Sequence, residues 1–426
     1  MKRHIALLSV LVVLLTFGSG TIAVGASEDV TITVWCWDPA FNLYAMEEAA
    51  KIYAEIAPNV TIDIVETPWD DVQAKLTTAV MSGQLRTLPD ILLMQDNATT
   101  KNVVNFPGTF LDITDSGIDF SQFAEYKVAL STVDGRNYGV PFDNGTAIYA
   151  VRIDILEQAG YTLADFTDVT WSEYIEMGKD VLAKTGVPLM STVADSPDHI
   201  MFCLQSAGSW MFDDEGDVFI ADNPVLREVI EIYVELVRSA VLVQVNDWEQ
   251  YISTINRGTV SGTMNGCWII GSIVGQPDQS GLWRITNVPR LDKAPEATNY
   301  SNQGGSSWMV LANSSNPEVA VDFLAHTFAG SVELYETILP SSGALATYLP
   351  AGDSDVYNEP HEFFGGQPIY ADITEYASKV PMVNYGVYNY EARDALATAI
   401  SQILQGADIE RALREAEDTV KFLMGP

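Results

Sequence analysis

Residues 30–96 alternate strand-like and helix-like segments, and this alternation constrains the possible folds more than any other feature of the chain. Three strand patterns, TITVWCW, VTIDIVE and LPDILLMQD, are separated by two segments with apolar residues at helical spacing. Short strand–helix–strand units form parallel sheets with right-handed crossovers. The sequence therefore predicts an α/β fold that begins with a parallel sheet flanked by helices.

Polar and aromatic side chains follow each of these three strands. In open parallel sheets, ligands bind beyond the carboxyl ends of the strands, which meet at one edge of the sheet. The residues at the three strand ends are Trp37, Asp38, Glu66, Trp69, Gln95 and Asp96. Three converging ends of this kind favour a binding cleft over ordinary closure of the core.

The pattern changes after residue 120, which indicates a second lobe. Asp134-Gly135 between two short strands predicts a hairpin, and Thr170 with Glu173 forms a capping box at the start of a helix. No flexible linker separates the two halves, so we expect the chain to cross between lobes on strands. The candidate crossings are residues 140–149 and 301–312, and the second contains a Gly-Gly pair suited to a hinge.

The first 26 residues have the pattern of a cleaved secretory signal peptide. Lys2 and Arg3 precede an apolar run from Ile5 to Phe17 that is too short to span a bilayer, and Val24-Gly25-Ala26 offers a cleavage site. No cysteine follows the apolar run directly, which argues against a lipid anchor. We therefore expect a soluble protein that is periplasmic or secreted.

The charge balance excludes several classes of partner. The 426 residues include 57 acidic and 22 basic side chains, for a formal net charge of −35. Such a surface repels phosphate backbones and anionic lipids, which argues against nucleic-acid and membrane-surface partners and favours a neutral or cationic ligand. The chain has no Walker loop, no G-x-G-x-x-G and no H-E-x-x-H, so we expect neither a cofactor nor a metal.

The three cysteines leave two arrangements open. Cys36, Cys203 and Cys267 have no metal-ligand spacing. In an oxidising compartment Cys203 and Cys267 could form a disulfide, whereas three separate buried thiols fit the sequence equally well.

Two functional classes compete for the polar residues at the strand ends. A secreted glycoside hydrolase could pair Asp38 with Glu66 or with Asp96, but no catalytic motif accompanies these carboxylates. A binding protein fits better, because aromatic faces stack on sugar rings while carboxylates and amides bind hydroxyls. We therefore predict a binding protein without catalytic residues. A cationic solute such as a polyamine stays an alternative ligand.

Several longer segments resemble one known family. They are TITVWCWDPAFN, YGVPFDNGTAIYAVRIDILEQAGY, RGTVSGTMNGCWIIGSI and GGSSWMVLANSSNPEVAVDFL. In this order and spacing they resemble the family 1 extracellular solute-binding proteins, the sugar-binding components of ABC importers, and especially their lactose and L-arabinose branch. The resemblance implies a two-lobe periplasmic-binding-protein-like (type II) fold of the maltose-binding-protein kind. Each lobe is then a mixed, mostly parallel sheet flanked by helices, and strand hinges join the lobes.

The resemblance also implies further ligand contacts and a division into domains. Besides the six residues at the strand ends, the implied contacts are Asn144, Trp210, Asn265, Trp268, Gly304, Gly305, Ser306 and Tyr385. The N-terminal lobe is expected to comprise residues 27–142 and 308–346, and the C-terminal lobe residues 143–307 and 347–426.

The implied mechanism is closure of the two lobes onto one carbohydrate ligand. The closed form, expected to be a monomer, then docks on the permease subunits of an ABC importer. A monosaccharide, a disaccharide and a short oligosaccharide all fit the sequence.

Overall fold

The computed structural model describes residues 29–194 and 196–425, so the predicted signal peptide, residues 1–26, lies outside the described residues. The strands are β1 Val30–Cys36, β2 Val60–Glu66, β3 Ile91–Gln95, β4 Thr132–Val133, β5 Arg136–Asn137, β6 Val140–Asp143, β7 Ala147–Arg152, β8 Met190–Val193, β9 Leu242–Val245, β10 Gly262–Gly266, β11 Trp283–Thr286 and β12 Ser306–Val310. The helices are α1 Tyr44–Ile56, α2 Trp69–Ser82, α3 Asp96–Asn105, α4 Glu125–Leu130, α5 Ile153–Ala159, α6 Trp171–Thr185, α7 Asp198–Ser206, α8 Pro224–Arg238, α9 Trp248–Asn256, α10 Ile270–Val274, α11 Pro317–His326, α12 Val332–Ser342, α13 Leu349–Gly352, α14 Ile369–Ala377, α15 Asn389–Leu404 and α16 Ile409–Met424.

The first lobe is built on a five-stranded sheet in the order β2-β1-β3-β12-β6. β1 pairs in parallel with β2 and β3, as the strand–helix–strand pattern predicts. β12 is antiparallel to both of its neighbours, so four strands run in one direction and one runs against them. Val34 and Cys36 of β1 pack with α1, α11 and α12 on one face, while Leu92 and Met94 of β3 pack with α2 on the other.

The second lobe is built on a three-stranded sheet in the order β10-β7-β11. β10 and β11 are both antiparallel to β7, and a separate pair, β8 with β9, is parallel. The expectation of a mostly parallel sheet is therefore wrong for the main sheet of this lobe. Short crossover helices fix strand direction in the first lobe, whereas more than a hundred residues separate β7 from β10, so no single crossover sets their relative direction.

Local signals in the sequence correctly mark the elements of the second lobe. The predicted capping box is present, because Glu173 N–H donates to Thr170 Oγ1 at 3.3 Å and Thr170 N–H donates to Glu173 Oε2 at 2.8 Å. The predicted hairpin is also present, with Asp134 and Gly135 in the left-handed region between β4 and β5. Trp171 and Tyr174 then bury their rings in the large core formed by α6, α7, α8, α15 and α16.

The chain crosses between the lobes at both predicted segments. Residues 144–146 join β6 of the first sheet to β7 of the second, and residues 287–305 return from β11 to β12. A third crossing follows α12, where Ala344 lies in the core of the first lobe and Leu345 in a core cluster of the second. A crossing near this position is implied by the expected domain limit at residue 346, although no local motif marks it. The exact domain limits stay a prediction.

All three cysteines are buried and unpaired in the described structure. Cys203 lies in the large core of the second lobe, and Cys267 lies in a different cluster, so the disulfide left open by the sequence is not formed. Burial, with Glu47 and Glu66 nearby, raises the pKa of Cys36 to about 12. Burial also raises the pKa of Cys203 and Cys267. Thiols in such surroundings stay protonated and inert.

Candidate functional site

A cleft with a cavity of about 400 Å³ lies between the two lobes. Its lining comes from the ends of β1 and β3 in the first lobe, from α7, α9 and the end of β10 in the second, and from the return crossing before β12. Nine of the fourteen predicted contact residues line this cavity: Trp37, Asp38, Gln95, Trp210, Trp268, Gly304, Gly305, Ser306 and Tyr385. The remaining five are placed around it.

The end of β1 forms the wall of the cleft on the first lobe. Asn42 Oδ1 accepts hydrogen bonds from the backbone N–H of Trp37 at 2.9 Å and of Asp38 at 3.0 Å. Trp69 supports the Trp37 ring, with ring centroids 5.3 Å apart. The Trp37 indole is therefore held in place while part of its surface stays open to the cavity, and the Asp38 carboxylate is exposed beside it.

Trp210 and Tyr385 form one aromatic pair on the second lobe. Their ring centroids lie 4.8 Å apart, with the rings at 69°. Trp210 Nε1 donates to Asn389 Oδ1 at 3.0 Å, and the Tyr385 hydroxyl donates to Gln205 Oε1 at 3.1 Å. Because its polar atom is already satisfied, Trp210 can offer the cavity only an aromatic surface.

Trp268 belongs to a second aromatic pair, with Trp248, at a centroid distance of 5.8 Å. Trp268 Nε1 donates to the backbone oxygen of Gln303 at 2.9 Å. A Cβ at Gly266 would lie 2.2 Å from Trp268 Nε1 and 2.4 Å from Gln303 O, so this position requires glycine. The G-x-W spacing thus lets the indole fold back against the crossing strand.

A buried charge cluster lies behind the floor of the cleft. Lys127 donates to Asp96, Ser307 Oγ donates to the other Asp96 oxygen at 3.0 Å, and Ser306 Oγ donates to Asp143. Burial raises the pKa of Asp143 to about 6 against the opposing effects of Lys127 and the Ser306 hydrogen bond, and the nearby Asp96 carboxylate raises it further. Burial also raises the pKa of Asp96, which Lys127 opposes. Lys127 therefore pairs directly with Asp96, and its positive charge also acts on Asp143.

Gly305 covers the Asp96–Lys127 pair of this cluster, and neither member of that pair lines the cavity. Its φ is +92°, and a Cβ there would lie 2.6 Å from Asp96 Oδ2 and 2.7 Å from Lys127 Nζ. Only a glycine backbone can therefore pass so close to the ion pair. The Gly-Gly pair that the sequence suggests as a hinge also gives the cleft a backbone floor.

Three more of the predicted contact residues lie outside the cavity lining. Glu66, the last residue of β2, is exposed. Asn144 and Asn265 are buried and use their polar atoms internally: Asn144 Oδ1 accepts from Thr146 N–H at 2.9 Å, and Asn265 Nδ2 donates to Tyr251 Oη at 3.0 Å. Contact with a ligand stays a prediction for these residues, as it does for Trp69 and Asp96.

The cavity also includes polar residues that are not among the fourteen predicted contacts. They are Asn42, Asn97, Asp143, Asp198, Gln205, Asn302, Gln303 and Arg393, together with the hydrophobic or aromatic Phe41, Met201, Phe202 and Trp248. Asp143 could have been found, because it ends the strand before a predicted crossing. Arg393 and Trp248 lie on helices far along the chain, and only the fold brings them to the cleft. Arg393 pairs with Asp198 at 3.0 Å.

One set of contacts joins the lobes beside the cleft, and we call it the latch: Gln95, Asn97 and Lys101 of the first lobe with Tyr390 and Glu391 of the second. Tyr390 Oη lies 2.9 Å from Gln95 Oε1 and 3.0 Å from Asn97 Oδ1. Lys101 Nζ lies 3.0 Å from Glu391 Oε1 and 5.1 Å from the centroid of the Tyr390 ring. Because Gln95 also lines the cavity, the latch and the site share a side chain.

The described residues contain neither a metal-binding cluster nor a helix suited to span a membrane. No group of three or more His, Cys, Asp or Glu side chains is arranged to hold a metal ion. Within residues 29–194 and 196–425, no helix combines the length and the apolar character needed to cross a membrane.

The relatives found by sequence comparison are all solute-binding proteins. The family model for bacterial extracellular solute-binding proteins matches residues 48–357. The lactose-binding protein of Rhizobium radiobacter is 39% identical over 387 residues, which cover 91% of each chain. The arabinooligosaccharide-binding protein of Halalkalibacterium halodurans is 25% identical over 394 residues, 89% of this chain and 86% of the relative.

Comparison with solved structures shows the same two-lobe fold. The GacH receptor of Streptomyces glaucescens GLA.O superposes with a TM-score of 0.79 at 17% identity, over 93% of this chain and 99% of the other. The galacto-N-biose-/lacto-N-biose I-binding protein of Bifidobacterium longum superposes with a TM-score of 0.76 at 21% identity, over 92% of this chain and 96% of the other. From its family match and its 39% identical relative, this chain belongs to the bacterial extracellular solute-binding proteins.

Proposed function

We propose that this protein captures a sugar in the cleft between its lobes and delivers it to the permease of an ABC importer. The lining of the cleft is the observation that carries the proposal. Trp37 from one lobe and Trp210 and Trp268 from the other face a cavity that also holds carboxylates and amides. Aromatic faces with a few polar groups between them suit the apolar faces and the hydroxyls of a sugar ring.

The proposed mechanism is capture by lobe closure. Trp37, Trp210 and Trp268 act as stacking platforms, and Asp38 and Gln95 bind hydroxyls. Closing the lobes expels water, so the same hydrogen bonds discriminate more strongly among sugars. The ligand favours the closed form because it contacts both lobes only there. No covalent step is needed, and the family is one of binding proteins.

We further propose that the mature protein begins after residue 26 and works as a monomer in the periplasm or as a secreted protein. Its family is extracellular, which agrees with a secretory signal. The formal net charge of −35 favours a neutral ligand over an anionic one.

Thermal unfolding of the mature protein against a panel of solutes tests the proposal. The panel contains lactose, arabinobiose, galactose, arabinose and spermidine. A sugar at a thousand times its dissociation constant should add about 4 kcal/mol to the free energy of unfolding and raise the melting temperature. Chromatography of each hit after incubation then shows whether the sugar is intact.

The outcomes separate the three candidate functions. An intact sugar that stabilises the protein supports binding. A sugar that is cleaved would establish a glycoside hydrolase and overturn the proposal. Stabilisation by spermidine alone would establish a binding protein for a cationic solute.

A further inference from the structure

Trp248 presents an exposed indole at the mouth of the cleft. It lines the cavity, yet 47% of its surface is exposed, compared with 4% for Trp210. Its ring packs against Tyr251, at a centroid distance of 5.0 Å, and against Trp268. These contacts hold the indole on one side and leave the rest of its surface open. An open aromatic face that lines a cavity can stack on a ligand.

The start of α9 holds Trp248 in place. Asp247 caps the helix, accepting from Gln250 N–H at 2.8 Å and from Gln250 Nε2 at 2.9 Å. Trp248 is the first residue of this capped helix. The exposed ring therefore belongs to an ordered element, so little conformational freedom is lost when a ligand stacks on it.

A hydrogen-bond acceptor without a partner lies next to this aromatic pair. The backbone oxygen of Gln303 is occupied by Trp268 Nε1, but Gln303 Oε1 is buried and has no hydrogen-bond partner in the described part of the chain. A buried acceptor left unpaired costs free energy until a donor reaches it. Gln303 lines the cavity, so a ligand hydroxyl can supply that donor.

The Trp248–Trp268 pair is separate from the aromatic pair of Trp210 and Tyr385. In the described residues no ring contact joins the two pairs, and they pack against different hydrophobic clusters of the second lobe. The cleft therefore has two aromatic surfaces, one enclosed and one at its mouth.

We propose that Trp248, Trp268 and Gln303 form a second sugar subsite at the mouth of the cleft. Trp248 then makes the protein select a disaccharide or longer sugar over the constituent monosaccharides. The first ring sits between Trp37 and Trp210, the second stacks on Trp248, and one of its hydroxyls donates to Gln303 Oε1. This inference rests on the proposed function and adds the minimum length of the ligand.

Calorimetric titration of the mature protein with lactose, galactose and glucose, and with arabinobiose and arabinose, tests the subsite. The wild type should bind one disaccharide more tightly than either of its components. Trp248→Ala should weaken disaccharide binding about tenfold and leave monosaccharide binding unchanged, because only the outer ring loses its platform. Trp248→Phe should retain most of the affinity.

Two controls make the result specific. Phe422→Ala removes an aromatic ring that is 83% exposed on α16, outside the cleft lining, and should leave every affinity unchanged. Unchanged melting temperatures show that the variants fold. The subsite would be overturned if Trp248→Ala weakened disaccharide and monosaccharide binding equally. It would also be overturned if the wild type bound a monosaccharide as tightly as the disaccharide. Either result would leave the proposed function standing. A wild type that binds none of these sugars would overturn the proposed function as well.

Discussion

Individual side chains at this site differ in how much of their bonding capacity is left for a ligand. The indole N–H groups of Trp210 and Trp268 already donate hydrogen bonds to Asn389 and Gln303, so these side chains offer a ligand only their ring faces. Asp96 is fully engaged with Lys127 and Ser307 behind the floor. Groups of this kind position the cleft, whereas the lining groups with spare acceptors or donors supply its selectivity.

His199 gives the chain a defined response to acid. It is buried against Trp171 and Phe202, and burial lowers its pKa from 6.5 to about 3. Between these pH values the unfolded chain binds a proton that the folded chain excludes, so stability is lost as the pH falls below 6.5. We expect this residue to cost about 2 kcal/mol of unfolding free energy between pH 7 and pH 5.

Urea unfolding at both pH values checks this expectation. The His199→Gln variant should lose about 2 kcal/mol less than the wild type over that interval, whatever its stability at pH 7. His326→Gln, at an exposed histidine on α11 that lies 3.4 Å from Asp322, controls for the loss of an imidazole group. If the wild type and His199→Gln lost the same unfolding free energy between pH 7 and pH 5, His199 would be protonated in the folded protein.

Sequence reasoning found those site residues that carry a local signal. Trp37 and Gln95 follow strands whose ends had to converge, and Trp268 lies in a G-x-W motif of the resembled family. Trp248 gives no such signal, because an aromatic residue at the start of an amphipathic helix reads equally well as core. Lys127 is also hidden, since a lysine is rarely expected to be fully buried.

Among the elements, the first lobe was predictable and the sheet of the second was not. β1, β2 and β3 are joined by single helices, so their parallel pairing follows from local sequence. β7 is separated from β10 and β11 by more than a hundred residues, so no local connection sets their antiparallel direction. The third crossing, near Leu345, carries no glycine pair or hairpin signal, so only the domain limits implied by the family resemblance pointed to it.

The contact between α3 and α15 should couple lobe closure to affinity. Tyr390→Phe removes the hydroxyl that meets Gln95 and Asn97 but keeps the ring beside Lys101. We expect sugar affinity to fall about two- to tenfold, because the closed arrangement loses a hydrogen bond of ordinary strength. Calorimetric titration with the best sugar of the panel measures the change.

Tyr388→Phe is the control for this variant. Tyr388 lies two residues earlier and packs against the core of the second lobe, and in the described residues its hydroxyl makes no hydrogen bond to the first lobe. Unaltered affinity in Tyr390→Phe would mean that the latch closes without affecting the ligand.

The whole molecule carries far more negative than positive charge. The formal net charge of −35 is spread over a surface on which most ion pairs are exposed, such as Lys184 with Asp180. Exposed pairs contribute little, so repulsion among the unpaired carboxylates should dominate the salt response. The electrostatic field of this negative charge would attract a polyamine strongly and a neutral sugar hardly at all.

Added salt should therefore stabilise the protein. We expect the melting temperature to rise by a few degrees between about 10 mM and about 0.5 M NaCl, because screening weakens the repulsion in the folded state. KCl should act equally, which separates screening from ion-specific binding. Affinity for a sugar should stay constant over this range, whereas affinity for spermidine would fall. A lower melting temperature in salt would mean that the ion pairs outweigh the repulsion.

The position of β12 has a consequence for how the protein is made. β12 lies between β3 and β6 in the first sheet, yet residues 306–310 leave the ribosome only after β7 to β11 of the second lobe. Domains generally fold from the N-terminus during synthesis, but this lobe must wait with the edge of β3 unpaired. An open apolar edge is prone to aggregation, so the nascent chain should depend on a chaperone until residue 310 has emerged.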